Sequence, residues 1–321
     1  MSAAEGNPGR NPQRRPARNP RREMSRALSR VANATVAESL EHQGELPEQA
    51  LYRIGVTGAP GAGKSTLISH LASRRVEHGA RVAVVAIDPT SPISHGSILG
   101  DRIRMDAVSD DPNIFIRSIP SRRAHDGLAD NTADLLWAME GHGFDEVIVE
   151  TVGVGQAEYS VRAVVDTVVL VLLPESGDAV QAMKAGLLEL ADIYVVNKAD
   201  LPGAELMAGD IAATAAHQAA HQSNGGAEGW LPPVLLTSNR DADSFAALDE
   251  AIEAHRTWRQ DRVDADVVRR ARIRYQVHGL IGRRAEELLE AMPDADLDRS
   301  PKEIYQALLR QLTTALDDGD G

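Results

Sequence analysis

The amino-acid sequence predicts an α/β fold, a doubly wound, mostly parallel sheet with helices on both of its faces. Short β-branched runs alternate with helix-length segments from residue 52 to about residue 260, which is the pattern of strand–helix–strand units. Most of these runs are almost continuously apolar, and residues 168–173, for example, read VVLVLL. Such runs are typical of strands that are buried on both faces, as they are in parallel sheets. Sheets of this kind bind ligands at the carboxyl ends of their strands.

The predicted elements follow in chain order. Seven strands are predicted, at residues 52–57, 81–87, 114–118, 146–150, 167–173, 193–196 and 234–237. Helix-length segments lie between them, among them residues 64–78, 126–141 and 178–190.

Two segments lie outside this alternation. Residues 23–50 are predicted to form one or two short helices. Residues 261–321 contain no strand pattern, and their apolar residues recur at helical spacing, which predicts a hairpin of helices. These apolar residues are Val268, Ile273, Leu280, Ile281, Leu288, Leu289, Leu308, Leu309 and Leu312. The hairpin either caps the domain or forms a dimer interface. We therefore expect four segments: a basic tail at 1–22, a helical extension at 23–50, a nucleotide-binding domain at 51–260 and a second helical extension at 261–321.

Length and composition restrict the class of protein. With 321 residues, 43% of them hydrophobic, the chain is long enough for one large core and a smaller appendage. No apolar run approaches the ~20 residues that span a bilayer, and no signal-peptide core follows the first residues. The sequence has no cysteine, so disulfides and thiolate metal sites are excluded, and we expect a cytoplasmic protein without a membrane partner. The ten histidines are scattered rather than spaced as metal ligands.

Charge is unevenly distributed along the chain. The first 22 residues hold six arginines and one acid, Glu5, while the whole chain carries a net charge of −13. The rest of the chain is therefore strongly acidic, which argues against nucleic acid as its main ligand. The tail also has four prolines and few apolar residues, so it is predicted to be disordered. It is interpreted either as an arm for RNA or anionic lipid, or as a solubilising tail or a misassigned start.

The most specific motif lies directly after the first predicted strand. Residues 58–65 read GAPGAGKS, which matches the phosphate-binding pattern G-x-x-x-x-G-K-[ST]. The glycines let backbone N–H groups surround phosphates, Lys64 reaches the outer phosphates, and Ser65 offers its hydroxyl to Mg²⁺. The sequence therefore predicts a P-loop NTPase that uses Mg²⁺, with Lys64 and Ser65 in catalytic roles. The predicted nucleotide-binding residues of this loop are Gly58, Ala59, Pro60, Gly61, Ala62, Gly63, Lys64, Ser65 and Thr66.

A second motif, after the sixth predicted strand, indicates which base is bound. Residues 197–200 read NKAD. The carboxylate of Asp200 can accept hydrogen bonds from the N1–H and the exocyclic amine of guanine, a donor pair that adenine does not present. Asn197 is predicted to tether neighbouring loops and Lys198 to lie along the base. A second base-contacting loop is predicted at Thr237, Ser238 and Asn239. We therefore expect GTP as the substrate and GDP as the product.

A third group of residues is predicted to serve the metal ion and the γ-phosphate. Glu150 ends the fourth predicted strand, where an acid can hold Mg²⁺ directly or through water. Gly153 can offer its backbone N–H to the γ-phosphate, which would make the following segment a switch, and Gln156 is a candidate for positioning water. Asp88, at the end of the second strand, and Asp101 are further candidate metal ligands. By spacing alone, Asp101 fits better as a solvated acid paired with a neighbouring arginine.

Four stretches taken together resemble the MeaB/ArgK family, which includes the human methylmalonic aciduria type A protein. They read DPTSP at 88–92, GSILGDR at 96–102, ETVGVGQ at 150–156 and NKAD at 197–200. The resemblance covers roughly residues 51–260 and implies a homodimeric GTPase. It also implies a chaperone of a cobalamin-dependent acyl-CoA mutase, such as methylmalonyl-CoA mutase, that gates cofactor loading and protects the mutase. The residues implied to lie near the metal are Asp88, Asp101 and Glu150, and those implied to form a mutase-responsive switch are Asp178, Gln181 and Lys184.

The sequence departs from the family pattern at several positions, which leaves open the acyl-CoA mutase that is served. Arg123 and His95 stand where the family has glycine, Ala185 where it often has a second lysine, and Asn239 where it usually has alanine. A binding module without catalysis is one alternative, which an assay of phosphate release would decide. Two other enzyme functions stay open. One is a metal-delivery GTPase of the nickel-insertion type, against which the lack of cysteines and histidine clusters counts. The other is a P-loop kinase associated with amino-acid transport, although NKAD argues against ATP as its phosphate donor.

Overall fold

The computed structural model of the protein describes most of the chain. The described residues are 20–41, 51–88, 111–120, 131–151, 157–174, 187–222 and 229–314, together with Met105, Val108 and Leu128.

A seven-stranded sheet forms the centre of the molecule. Its strands are β1 (Tyr52–Gly58), β2 (Val82–Asp88), β3 (Ile114–Pro120), β4 (Glu146–Glu150), β5 (Thr167–Leu172), β6 (Ile193–Asn197) and β7 (Val234–Thr237). Their order across the sheet is β3-β2-β4-β1-β5-β6-β7, and every neighbouring pair is parallel. All seven predicted strands are present, each within two residues of its predicted bounds. The predicted doubly wound, parallel α/β fold is confirmed.

Ten helices are found among the described residues. They are α1 (Pro20–Asn33), α2 (Val36–Glu41), α3 (Lys64–Glu77), α4 (Thr132–Glu140), α5 (Ala157–Val164), α6 (Ala204–Gln222), α7 (Ser244–Arg262), α8 (Ala265–Glu290), α9 (Asp294–Leu297) and α10 (Pro301–Thr314). The predicted helix at 64–78 corresponds to α3, and the one at 126–141 to α4. Of the predicted helix at 178–190, only the 3₁₀ turn Leu187–Glu189 lies in the described part. Across that part, no helix is both long enough and apolar enough to cross a bilayer.

The sheet buries apolar side chains on both of its faces. Along β2, Val82 and Val84 pack on the face that is covered by α3 and α7. Ala83 and Val85 point to the opposite face, which is covered by α1, α4 and α5. A third apolar cluster lies where β5 and β6 pack against α6. Burial on both faces explains why the strands read as continuous apolar runs rather than as alternating ones.

The order of the strands indicates which edge of the sheet carries the ligand site. The chain passes from β1 to β2 and β3 on one side, returns to β4, and then builds β5, β6 and β7 on the other side of β1. The sheet therefore changes direction at β1, and ligands of such sheets bind in the crevice at that point. The residues that end β1, β4, β6 and β7 share this carboxyl edge, and they are Gly58, Glu150, Asn197 and Thr237.

Helical extensions flank the sheet at both ends of the chain. Helix α1 begins at Pro20, three residues before the predicted segment, and buries Met24 and Leu28 against β3 and α4. Arg21 donates from Nη2 to the carbonyl oxygens of Asp111 and Ile114, just before and at the start of β3. The long helix α8 and the shorter α10 pack on each other as a hairpin. The division of the chain into four segments stays a prediction.

Candidate nucleotide-binding site

The loop after β1 has the backbone that its glycines require. Gly58, Gly61 and Gly63 have φ values of 141°, 81° and 90°, which are accessible to glycine and strained for other residues. A Cβ atom on Gly58 would lie 2.1 Å from the carbonyl oxygen of Val171, and one on Gly63 would lie 2.3 Å from Nδ2 of Asn197. The loop therefore packs against β5 and the end of β6 so closely that no side chain fits at either glycine.

Lys64 is the first residue of α3, and its ammonium group is held across the loop. Its Nζ donates to the carbonyl oxygens of Gly58, at 2.8 Å, and Ala59, at 3.2 Å. The residue is buried, so its charge lies in a region of low dielectric, where it attracts an anion more strongly than it would in water. An ammonium group in this position suits the outer phosphates of a nucleotide.

Ser65 and Glu150 form a buried pair beside the loop. Glu150 ends β4, opposite Val56 of the neighbouring β1, and Ser65 Oγ donates to its Oε1 at 2.9 Å. Neighbouring ligands of an octahedral Mg²⁺ lie about 3 Å apart, given metal–oxygen distances near 2.1 Å. The hydroxyl and the carboxylate are the hard oxygen donors that Mg²⁺ prefers, so this pair fits the ion. Within the described ranges, no group of three or more acidic or histidine side chains could hold a metal on its own.

Two threonines beside this pair were not singled out from the sequence. Thr151 N–H donates to the carbonyl oxygen of Val56 at 3.1 Å, and its hydroxyl donates to that of Thr57 at 2.8 Å. Both side chains are buried. These bonds hold the first residue after β4 against β1, and so determine where the segment that follows Glu150 begins. A threonine adjacent to a P-loop is too common for its spacing to have indicated this role.

Asn197 links three loops at the carboxyl edge. Its Nδ2 donates to the carbonyl oxygen of Ala62 at 2.7 Å, and its Oδ1 accepts from Thr237 Oγ1 at 3.0 Å. The P-loop, the end of β6 and the end of β7 are thereby joined through one buried amide. Lys198 follows with a φ of 56°, and it is the only described residue other than glycine with a positive φ. The chain turns sharply at this point, which brings Asp200 back towards β7.

The carboxylate of Asp200 is held by polar side chains from the end of β7 and the turn after it. Ser238 Oγ donates to its Oδ1 at 2.7 Å, and Nε of Arg240 lies 3.3 Å from its Oδ2. The hydrogen bond from Ser238 is the largest cause of a lowered pKa of Asp200, and the charges of Arg240 and Lys198 lower it further. The carboxylate is therefore ionised at neutral pH and accepts hydrogen bonds only. Among the residues predicted for the second base loop, Ser238 contacts Asp200, whereas the exposed Asn239 does not.

Several predicted site residues lie outside the described part of the chain. They are Gly153, Gln156, Asp101, Asp178, Gln181 and Lys184, and the side chain of Asp88. The backbone of Asp88 ends β2, two residues beyond Ala86, which pairs with Glu150. The structure thus brings together the P-loop, Glu150, the residues 197–200 and Ser238, and adds Arg240, which the sequence motifs did not indicate.

The comparison with protein families agrees with this geometry. The family model described as "Methylmalonyl Co-A mutase-associated GTPase MeaB" matches residues 25–294. The chain belongs to the MeaB family. The prediction of membership in this family is confirmed, and with it the predictions of a GTP hydrolase and of guanine nucleotide binding.

Individual relatives place the MeaB-family chain among named GTPases. A protein of Pyrococcus horikoshii, provisionally named a GTPase, is 40% identical over 245 residues, which cover 75% of this chain and 76% of that protein. The mouse protein named "Methylmalonic aciduria type A homolog, mitochondrial" is 36% identical over 217 residues, which cover 65% of this chain and 51% of that protein. A crystal structure titled LAO/AO transport system kinase matches with a TM-score of 0.55 and 22% identity, covering 91% of this chain and 98% of that one. That similarity supports the fold alone.

Proposed function

We propose that this MeaB-family GTPase is a Mg²⁺-dependent nucleotide switch that acts as a chaperone for a cobalamin-dependent acyl-CoA mutase. In this role it gates the loading of the cofactor and protects the mutase. The family description names association with methylmalonyl-CoA mutase, and the mouse relative is named for methylmalonic aciduria. The observation that carries the nucleotide part of the proposal is the ionised Asp200 carboxylate, held by Ser238 on the same edge as the P-loop.

The base is selected by Asp200. An ionised carboxylate accepts hydrogen bonds from the two adjacent donors of guanine, whereas adenine presents an acceptor at the equivalent ring nitrogen. An adenine would leave the carboxylate facing an acceptor, which costs far more than the loss of one hydrogen bond. Arg240 Nε contacts the same carboxylate. The Arg240 side chain is 82% exposed, so its ion pair with Asp200 is weak. An incoming guanine can therefore displace it at little cost.

The phosphates are positioned by Lys64 and by the backbone of the P-loop. Phosphoryl transfer depends mainly on positioning and on charge stabilisation, because the transferred group needs little covalent help from the protein. The Lys64 ammonium is fixed by the carbonyl oxygens of Gly58 and Ala59, so it is already oriented before a nucleotide binds. This preorganisation avoids the cost of ordering a long side chain during the reaction.

Ser65 and Glu150 would hold the Mg²⁺ ion. When bound, Mg²⁺ neutralises charge on the outer phosphates and on the leaving group. Glu150 accepts from Ser65 at 2.9 Å, so hydroxyl and carboxylate are aligned before metal enters. We propose Asp88 and Asp101 as further ligands, Gly153 as the γ-phosphate contact and Gln156 as a water-positioning residue, on the strength of their motifs.

The switch is proposed to report to the mutase through Asp178, Gln181 and Lys184. The sequence indicates no internal arginine that would complete the charge stabilisation, so hydrolysis by the isolated chain should be slow. Slow intrinsic hydrolysis that a partner accelerates is how nucleotide switches couple to a client.

The experiment compares phosphate release with and without purified methylmalonyl-CoA mutase. We expect the mutase to raise the rate of the wild type, and Lys184→Ala to reduce that stimulation while basal rate and GTP affinity stay nearly unchanged. Arg299→Ala, which removes an exposed cation just before α10 of the C-terminal hairpin, serves as the control and should be stimulated normally. If the mutase has no effect on the wild type, the chaperone role loses its support; if Lys184→Ala responds fully, only the switch assignment is wrong.

We further propose that the protein is a homodimer formed by the C-terminal hairpin. Val277 and Ile281 of α8, and Tyr305 and Leu309 of α10, are between 45% and 63% exposed. In each pair the residues are four apart, so they lie on one face of their helix. Exposed apolar faces of this kind mark protein contacts.

A cytoplasmic location is proposed as well, because a chain without cysteine suits a reducing compartment.

A further inference from the structure

A second cavity lies at the opposite edge of the sheet from the nucleotide site. It encloses about 610 Å³, which is within the range of small-molecule sites, roughly 300–1,000 Å³. Tyr52 and Arg53, at the start of β1, and Asp166, just before β5, form its floor. Its walls come from α4, from the end of α7 and from the first half of α8. The length of β1 separates it from the P-loop by about 20 Å.

Positive charge dominates the cavity. Five arginines and three acids line it: Arg53, Arg256, Arg259, Arg269 and Arg272, with Glu140, Asp166 and Asp266. The chain as a whole is acidic, with 47 acidic residues against 34 basic ones. A group with two surplus positive charges is therefore contrary to the overall charge of this protein.

The three acids are already engaged with arginines. Glu140 lies 2.6 Å from Arg53 Nη2, and Asp266 lies 3.1 Å from Arg269 Nη2. Asp166 serves two arginines, with its Oδ1 3.2 Å from Arg259 and its Oδ2 2.8 Å from Arg272. The fifth arginine, Arg256, lies over the ring of Tyr52, 4.6 Å from its centroid. Its Nη1 lies 3.8 Å from Oε1 of Glu253, an acid outside the lining that also pairs with Arg75. The acids thus do not neutralise the cavity.

Two of the arginines have buried donors that are not used within the described structure. Nε of Arg53 and Nε of Arg272 are buried there and make no hydrogen bond. The side chain of Arg53 is only 6% exposed. Burial is the largest cause of a lowered pKa of Arg53, and the charge of Arg272 is the second. Both guanidinium groups have acid partners at their Nη2 atoms, so the two Nε donors are what is left for a ligand. A buried donor without an acceptor is costly, and an anion in the cavity would compensate it.

Most of the remaining lining is apolar. Trp137, Val164, Val263, Val268 and Ile273 face the cavity between the arginines. A bare inorganic ion would leave this surface in contact with water, whereas an organic anion would cover it. We infer that this cavity is a binding site for a small amphipathic dianion, a phosphate carried on an apolar or aromatic body.

The test is calorimetric titration of the full chain, saturated with GDP and Mg²⁺ so that the P-loop is occupied. The probes are phenyl phosphate, 3-phenylpropionate, 3-phenylpropanol and inorganic phosphate. Phenyl phosphate is expected to bind most tightly because two surplus charges favour a dianion, and the monoanionic 3-phenylpropionate should bind more weakly. Inorganic phosphate should bind at least about tenfold more weakly than phenyl phosphate, since apolar contact is lost, and the uncharged alcohol should not bind.

Three substitutions test whether phenyl phosphate binds in this cavity. Arg272→Gln should weaken phenyl phosphate by about 10- to 100-fold, because a hydrogen bond to a charged group is lost. Arg269→Gln, whose side chain is half-exposed and paired only with an exposed acid, should weaken it by about two- to fivefold without affecting folding. Arg270→Gln removes the same charge from an exposed position of α8 outside the cavity and should bind as the wild type does.

Several results would overturn the inference. They are titration of the alcohol as strong as that of phenyl phosphate, tighter binding of the carboxylate than of phenyl phosphate, and displacement of the probe by added GDP. Equal affinity of the wild type, Arg272→Gln and Arg269→Gln would also exclude the site. If Arg272→Gln fails to fold, Arg269→Gln alone decides between binding and a purely structural arginine cluster.

Discussion

At the scale of single residues, the proposed base site depends on the contacts that hold Asp200. The sequence motif indicates the carboxylate, but not the Ser238 hydroxyl that donates to it at 2.7 Å or the Arg240 guanidinium beside it. Those contacts depend on β6 and β7 ending side by side, with Asn197 paired to Thr237. A local motif cannot report contacts that a neighbouring strand supplies.

From the hydrogen bond that Ser238 donates to Asp200, we predict how the affinity for GDP depends on pH. Guanine binding requires the ionised carboxylate, so affinity for GDP is present above the pKa of Asp200 and is lost as the pH falls through it. Ser238 is the largest cause of the lowered pKa. Ser238→Ala should therefore raise that pKa and move the acid limb of GDP binding to higher pH. Titration of GDP affinity against pH measures this.

The control for that titration is Thr214→Ala, which removes a hydroxyl from a partly exposed position of α6. Its pH profile should coincide with that of the wild type. Profiles of Ser238→Ala and wild type that coincide would show that the hydrogen bond does not determine the ionisation of Asp200.

At the scale of elements, the strands were predictable and their order was not. Strands β1, β4, β5 and β6 are buried on both faces almost throughout, so the sequence of each is a nearly continuous apolar signal. The placing of β4 between β2 and β1 comes from contacts between distant segments, which no local pattern contains. Helix α1 begins earlier than predicted because Arg21 bonds to carbonyl oxygens near the start of β3, and a polar, proline-rich segment gives no local indication of that. The P-loop was predictable because its spacing specifies a backbone conformation.

The glycines of the P-loop allow a matched test of that conformation. Gly63 and Gly79 both have a φ of 90°. A Cβ on Gly63 would lie 2.3 Å from Asn197 Nδ2, whereas one on Gly79 has nothing within 4 Å. Gly79→Ala should cost about 1 kcal/mol of unfolding free energy and leave GDP affinity unchanged. Gly63→Ala should cost at least as much and lower GDP affinity by on the order of tenfold or more, because Asn197 must move.

Denaturant unfolding and GDP titration of both variants separate the two effects. Equal GDP affinities of the two variants would mean that the contact between Gly63 and Asn197 does not shape the nucleotide site.

At the scale of the whole molecule, the two edges of the sheet carry different surfaces. The carboxyl edge holds the candidate nucleotide site, and the opposite edge holds the arginine-lined cavity, whose lining extends from Leu51 to Gln276. Neither the cavity nor the apolar face of the hairpin could be predicted as a unit, because each is assembled from separate helices. The helical spacing of the hairpin was predictable, while its exposure was not.

From the exposed apolar face of the hairpin formed by α8 and α10, we predict that the protein is a dimer. The wild type should have a mass of twice the 34.5 kDa of one chain in light scattering. Ile281→Glu and Tyr305→Glu should each shift the protein to monomers, because a charge in an apolar contact is not compensated. Arg299→Glu introduces the same charge at an exposed polar position and should remain dimeric. A wild type that is monomeric at micromolar concentration would contradict the proposed interface.

The measurement that tests the central claim most directly is the rate of phosphate release from GTP, ATP and XTP in the presence of Mg²⁺. For the wild type, kcat/KM for GTP should exceed that for ATP by on the order of 10²-fold or more, because Asp200 requires the two donors of guanine. Asp200→Asn should transfer the preference to XTP, whose C2 carbonyl accepts from an amide, and the exposed Asp210→Asn should behave as the wild type. Equal rates with GTP and ATP, or an Asp200→Asn variant that still prefers GTP, would contradict the account.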